Sequence, residues 1–330
     1  MGYEITEKSI PVANVAFQEV DGGFELASGG RSFVIQGLPY TGAEFKQLLA
    51  AMDGERTIAD IGREFSGEQK VRETIRALYD ADLLYFRGNA GDYIDGLACL
   101  LQIEDLQAEL MHKTLYQNKF WQACKNPAQV DPRVFHGMAI ENFHFLFRES
   151  WFDSPVLSYQ GSTRARLLMN EFYAEEFGHD ELILRALNEI GITREQANET
   201  RPLPQTLALC HGLSHWAATD PLFFFTTLGV LEGRDIKIDS YIRAMEQSGS
   251  VGSNFIQPIL AHANINMHGE HGSLTRKIFR ETPPISVHDY KRLRENTRLF
   301  IEMYDDFHTA VWEYYSNPEN PLLRQISKLI

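Results

Sequence analysis

The chain has 330 residues, of which 31 are basic and 45 acidic, for a net charge of −14. A hydrophobic share of 44% with 23% charged residues excludes a disordered or fibrous chain, and the negative surface disfavours nucleic acid as a partner. At roughly 100–200 residues per domain, the length predicts two domains.

The cysteines Cys99, Cys124 and Cys210 are widely spaced and form no CxxC pair, which argues against a disulfide framework or a cysteine zinc site. The opening MGYEITEKSIPVANVAF lacks a basic segment followed by an apolar core. No apolar run approaches the ~20 residues of a bilayer span. These features lead us to expect a cytoplasmic protein with no membrane association. A homodimer is the default assembly.

Residues 1–90 carry strand signals. VANVAFQEV, FELAS and SFVIQGL are separated by Asp21-Gly22-Gly23 and Gly29-Gly30, a pattern for a hairpin or meander. Thr41 followed by Glu44 forms a capping box ahead of FKQLLAAM, and Asp53-Gly54 stops that helix. Thr57 caps IADIGREF, and QKVRETIRALYDADLLYF reads as a third helix. The expected unit is a small α+β, winged-helix-like domain over 1–90, with GNAG at 88–91 leading into a linker at 91–98.

From residue 99 to 330 the pattern is helical. Helices are expected near 99–124, 131–151, 162–190, 203–216, 220–247, 253–281 and 286–316, giving a mainly α, seven-helix bundle.

Four segments of the bundle carry candidate chemistry. Glu141 lies in FHGMAIENFHFLFRES, where an inward carboxylate needs a cation, hydrogen bonds or a metal; a solvated stripe is the alternative. Glu176 and His179 have Glu-x-x-His spacing, which sets two ligands on one helix face, and Glu175 competes for the inward position. In HANINMHGEHGSL, His268 and His271 share a face with Asn264, whereas His262 falls on roughly the opposite side. Glu232 ends the apolar run FFFTTLGVLEG, as a buried carboxylate or the polar edge of a core helix. Oxygen and imidazole donors without thiolate suit iron or manganese.

Residues 110–316 resemble the haem-oxygenase-like α-fold shared by TenA thiaminases, the PqqC quinone-forming oxidase and iron-containing oxidases. The resemblance rests on Glu141, on AEEFGHDELILRALNEIGI, on VLEG with Glu232, and on GEHG. It implies a mono- or dinuclear iron site using O2, with Glu141, Glu176, His179, Glu232, His268 and His271 as ligands. Glu176, His179 and Tyr173 would be catalytic. Phe143, Phe147, Phe172, Phe224, Phe225 and Asn264 would line the substrate pocket. Where di-iron members read His-x-x-x-Asp-x-x-His, this chain has Asn264, His268 and His271, and a shifted pairing through His262 is open.

MDGERTIADIGREF and VRETIRALYDADLLYF are similar to PqqD-like domains, which capture a leader peptide as an added strand. Together the resemblances imply an iron-dependent oxidase or oxygenase modifying a ribosomally made peptide in natural-product biosynthesis. A metal-free PqqC-like oxidase and a non-enzymatic peptide-binding scaffold are the alternatives.

Overall fold

In the computed structural model the described residues are 5–28, 31–65, 67–87, 93–231, 241–268 and 271–325; the side chains of residue 31 and of 266–268 and 271–273 also fall outside the description. The chain divides into two compact units. One comprises residues 1–106 and 276–294, the other 107–275 and 295–330. The expected boundary at 91–98 is therefore displaced to just after Leu106, and the first unit also takes in a late segment of the chain.

The first unit begins with β1 (Ile10–Val12), β2 (Ala16–Val20), β3 (Gly23–Ser28) and β4 (Arg31–Gln36). β2, β3 and β4 form an antiparallel meander, with Gln18 opposite Glu25 and Glu25 opposite Val34. The first turn closes at Gly22, whose φ of +79° is a left-handed value that glycine adopts without strain.

Three helices follow: α1 (Gly42–Ala51), α2 (Ile58–Glu64) and α3 (Glu68–Asp80). Both predicted caps are present, Thr41 with Glu44 and Thr57 with Asp60. Expected helix beyond α3 is instead strand: β5 (Tyr85–Arg87) pairs antiparallel with β1. Asp82, at φ +60°, turns the chain out of the helix, and Leu83 and Leu84 then enter the core. That core joins Leu26, Phe45, Leu48, Ile61, Ile75 and Phe86. Phe24 stacks on Phe45 with centroids 4.6 Å apart. Fully burying each such side chain contributes about 1.5–3 kcal/mol.

The remaining elements are β6 (Tyr93–Ile94), α4 (Gly96–Lys113), α5 (Lys119–Cys124), α6 (Pro132–Leu146), α7 (Ser150–Val156), α8 (Thr163–Glu176), α9 (Asp180–Glu189), α10 (Arg194–Glu199), α11 (Pro204–Thr219), α12 (Pro221–Leu231), α13 (Tyr241–Ser248), α14 (Ser253–His268), α15 (His271–Arg280), β7 (Ile285–Ser286) and α16 (Val287–Tyr315). β6 pairs with β7 within the first unit.

Several expected long helices are broken. The 131–151 helix ends at Leu146, because Arg148 and Glu149 donate to carbonyls only three residues back, and it restarts as α7. The 162–190 helix divides into α8 and α9 at Gly178. In the second unit α7 packs on α11, α14 on α9, and α6 on both α9 and α11. Phe135, Phe143, Phe223, Phe224, Phe225 and Phe300 are fully buried there.

Candidate metal centre

Helix α8 ends on Glu176, which has no exposed surface. Phe177 then takes an extended ψ of 114°, and Gly178 a φ of +98° that favours glycine. His179 follows as the residue capping α9 and is buried. Glu176 and His179 thus occupy two helices rather than one face of a single helix, yet their side chains meet. Glu176 Oε2 lies 2.6 Å from His179 Nδ1. The competition between neighbours is resolved as well, with Glu175 exposed and Glu176 buried.

Helix α14 supplies the third group. His262, half-buried, presents its ring edge-on to His179, with centroids 4.9 Å apart and planes at 81°. One nitrogen or oxygen from each of Glu176, His179 and His262 lies within 4.8 Å of the others. The histidine that completes the trio is therefore the one that helical spacing placed opposite His268. His268 closes α14 and His271 opens α15, but their side chains lie outside the described residues. Glu232 also lies outside them.

A fourth group, Asp153 of α7, was not anticipated. It is 2% exposed, and its Oδ2 has no hydrogen-bond partner among the described residues. Burial, and then the charge of Glu176, raises its carboxyl well above the usual carboxylate range. Two buried carboxylates that feel one another are both ionised only if a cation compensates them; otherwise one holds a proton. The sequence signal was the acidic residue in WFDSPV, which reads as a Pro-containing breaker but is helix, with Pro155 inside α7. Phe152, the preceding residue, packs against Phe145 at 5.2 Å and Phe224 at 6.3 Å.

Glu141 does not join this trio. It is fully buried in α6 and its oxygens are taken by protein donors. Leu203 N donates at 3.0 Å and Thr206 Oγ1 at 2.5 Å to Oε2, and Tyr315 Oη donates at 2.8 Å to Oε1. Burial raises its pKa, with these three donors opposing. A carboxylate saturated in this way is explained by hydrogen bonding alone.

The expected pocket residues divide. Phe143, Phe172, Phe224 and Phe225 are buried. Phe147 is 51% exposed and forms no interior wall; it stacks on Phe143 from outside, at 5.8 Å. Tyr173 is half-buried, 6.3 Å from the exposed Phe177. Asn264, also half-buried, lies two residues beyond His262 on α14.

The donors present fit an oxygen- and nitrogen-ligated redox metal. Two imidazoles and one carboxylate are the set used by non-haem iron(II) oxygenases, with positions left for substrate and O2. The neighbouring Asp153 supplies a further buried oxygen in need of positive charge.

The comparisons with known proteins agree with this architecture at the level of fold. About two-thirds of the chain has a haem-oxygenase-like helical fold. A domain of unknown function with that fold from Shewanella denitrificans superposes with a TM-score of 0.55 at 17% identity, covering 66% of this chain and 93% of that one. A TenA homologue from Pseudomonas syringae pv. tomato superposes with a TM-score of 0.50 at 14% identity, covering 67% of this chain and 94% of that one. No family model and no curated protein matches the sequence. No helix among the described residues is long and apolar enough to cross a membrane.

Proposed function

We propose that the helical unit is a non-haem-iron, O2-using oxidoreductase, with Glu176, His179 and His262 holding the metal and Asp153 as an additional carboxylate. One observation carries this reading: three ligand-type atoms from α8, the head of α9 and α14 lie within 4.8 Å of one another in a largely buried setting. The haem-oxygenase-like fold, which hosts many enzymes, is consistent with it. Fold alone assigns no reaction.

Iron bound there would supply one-electron chemistry on O2. The chain's own residues have distinct tasks. The carboxylate of Glu176 fixes the orientation of the His179 ring through Nδ1. The buried Phe152 and Phe224, with centroids 6.3 Å apart, help keep the interior around α7 free of water. Asp153 and Glu176 would balance the charge of a bound cation, and Asp153, its carboxyl raised by burial, is positioned to hold a proton when none is bound.

For the substrate we propose a peptide captured by the first unit. The support is its β2–β3–β4 meander, in which β3 is the only neighbour of β4 among the described residues and Val34 of β4 is 58% exposed. An edge strand of this kind offers main-chain hydrogen bonds to an extended segment.

The test is metal analysis after anaerobic iron loading, followed by O2 uptake. The expected result is stoichiometric iron that is lost in Glu176→Gln and in His262→Ala. Folded protein that retains no iron or manganese overturns the reading. A metal-free oxidase is the second reading, favoured by the 2.6 Å Glu176–His179 pair, which is a complete proton-transfer couple without an ion. Turnover undiminished in excess chelator would select it.

A further inference from the structure

The second unit gathers four arginines, none of them a residue of the candidate metal centre. Arg133, Arg148, Arg201 and Arg324 have no carboxylate at ion-pair distance among the described residues, in a chain whose net charge is −14. The partners of Arg133, Arg148 and Arg324 are main-chain carbonyls, aromatic rings, the His144 imidazole and the Tyr314 side chain, and the charge of Arg201 reaches Arg148. Arg133 donates to Asn320 O at 2.6 Å, Arg148 to His144 O at 2.8 Å, and Arg324 to Pro202 O. The Arg324 carbonyl belongs to the same knot, since Arg201 N donates to Arg324 O at 2.9 Å.

The knot is continuous. Leu203, next to Pro202, donates to Glu141, and His144 and Arg148 follow Glu141 at one-turn intervals on and just past α6. The charges of Arg148 and Arg324 both reach His144, and those of Arg324 and Arg133 both reach Tyr314. Glu141, the acid at the centre, lies within electrostatic reach of Arg148 and Arg324, but its oxygens are occupied by Leu203, Thr206 and Tyr315 and contact none of the arginines directly.

Four buried nitrogens here have no acceptor among the described residues: Nε of Arg133, Arg148 and Arg324, and Nε2 of His144. His144 is 2% exposed. Arg148 Nη1 lies 3.3 Å from His144 Nδ1 and can only donate, so Nδ1 accepts and the ring proton belongs on Nε2. Burial, reinforced by the two arginines, drives the imidazole pKa down to about 3, which keeps this ring neutral. All four orphaned nitrogens are therefore donors. Each unpaired buried donor is destabilising, and an oxygen-rich anion satisfies it.

We propose that Arg133, Arg148, Arg201, Arg324 and His144 form a binding site for a small, multiply charged oxyanion carrying phosphoryl or carboxylate groups. Guanidinium groups match both geometries with paired N–H donors. Arg148 is held between rings, 5.9 Å from the Phe147 centroid and 5.4 Å from that of Trp151, and Arg324 lies 5.5 Å from Tyr314. These rings hold the cations in place without neutralising them. Phe147 and Trp151 are 51% and 42% exposed, which leaves an entry beside Arg148.

Isothermal titration of the full-length protein with inorganic pyrophosphate and, separately, with citrate, at ionic strength matched with sodium chloride, tests the site. Saturable binding of pyrophosphate alone identifies a phosphoryl ligand, of citrate alone a polycarboxylate, and of both a general oxyanion site. Arg148→Gln and Arg324→Gln should each weaken binding by about tenfold or more, as expected for a lost charge-assisted hydrogen bond. Arg201 is exposed, so Arg201→Gln provides a variant whose folding is not at risk and should weaken binding several-fold. No saturable binding of either anion, or binding unchanged in folded Arg201→Gln together with whichever of the other two variants folds, overturns the proposal.

Discussion

Glu176 and His179 are hydrogen-bonded at 2.6 Å across a helix break, not along a helix turn. The break depends on Gly178, whose φ of +98° carries the chain from the end of α8 into α9. A Cβ at Gly178 would meet no atom within 4 Å, so substitution acts through backbone strain alone. Gly178→Ala should cost about 1–2 kcal/mol, the scale of a left-handed conformation for a side-chain-bearing residue. Urea denaturation measures that cost. On the proposed reading, the metal affinity of the folded variant should fall too, because relaxation of the turn moves His179 away from Glu176. A variant that loses stability but binds metal as the wild type does would separate the turn from the site.

Glu141 offers the complementary case, a buried acid explained by protein donors. Glu141→Ala strands Leu203 N–H, Thr206 and Tyr315 and opens a cavity, so a loss of about 3–5 kcal/mol is expected. Glu141→Gln keeps the shape but offers a donor where Tyr315 donates, and should cost less. Iron content per folded chain should be unchanged in both. Loss of iron from folded Glu141→Gln would return this residue to the ligand set. Gly137→Ala probes the same knot from below, since a Cβ there would fall 2.1 Å from Tyr315 Cγ. Overpacking of about 1–3 kcal/mol should appear as a lower urea midpoint.

Which parts of this could be read from the sequence follows from the range of the interactions. Thr41–Glu44 capping and the Gly22 turn are local, and both appear where expected. The pairing of a glutamate with His179 was legible from a short spacing, but neither the choice of Glu176 over Glu175 nor the break at Gly178 was. His262 was misplaced because a helical wheel ranks residues against neighbours on their own helix, while the position of His262 is set by α14 packing on α9. Asp153 was missed for a related reason. Asp-Ser-Pro is a turn signal in isolation, yet here packing of α7 on α11 accompanies a helix through Pro155. Leu83–Phe86 read as a continuation of α3 until Asp82, at φ +60°, redirects it to pair with β1.

In the first unit, Arg276 is 1% exposed and donates to Glu104 at 3.1 Å from Nε and to Asp82 O at 2.6 Å from Nη1. It ties the turn that ends α3 to the middle of α4. Removing one partner of a buried pair leaves the other charge uncompensated. Glu104→Ala and Arg276→Ala should therefore each cost about 3–5 kcal/mol, and the double variant less than their sum. A double-mutant cycle in urea is the measurement, and simple additivity would show the pair to be uncoupled.

Asp105, next to Glu104, gives the first unit a pH-dependent stability. Burial raises its carboxyl from 3.8 to about 6, with the charge of Glu104 adding to the rise and a hydrogen bond to Asn14 opposing it. Because the folded pKa lies above the unfolded one, the native state binds the extra proton between these values. Stability at this position is therefore greatest at low pH and declines as pH rises from about 4 to about 6, by up to about 3 kcal/mol. Asp105→Asn keeps an oxygen for Asn14 and cannot ionise. It should be nearly neutral at about pH 4 and stabilising at about pH 8, and the difference between its urea midpoint and that of the wild type should grow through the intervening range. A midpoint difference that is the same at both ends of that range would rule out a protonated Asp105 in the folded state.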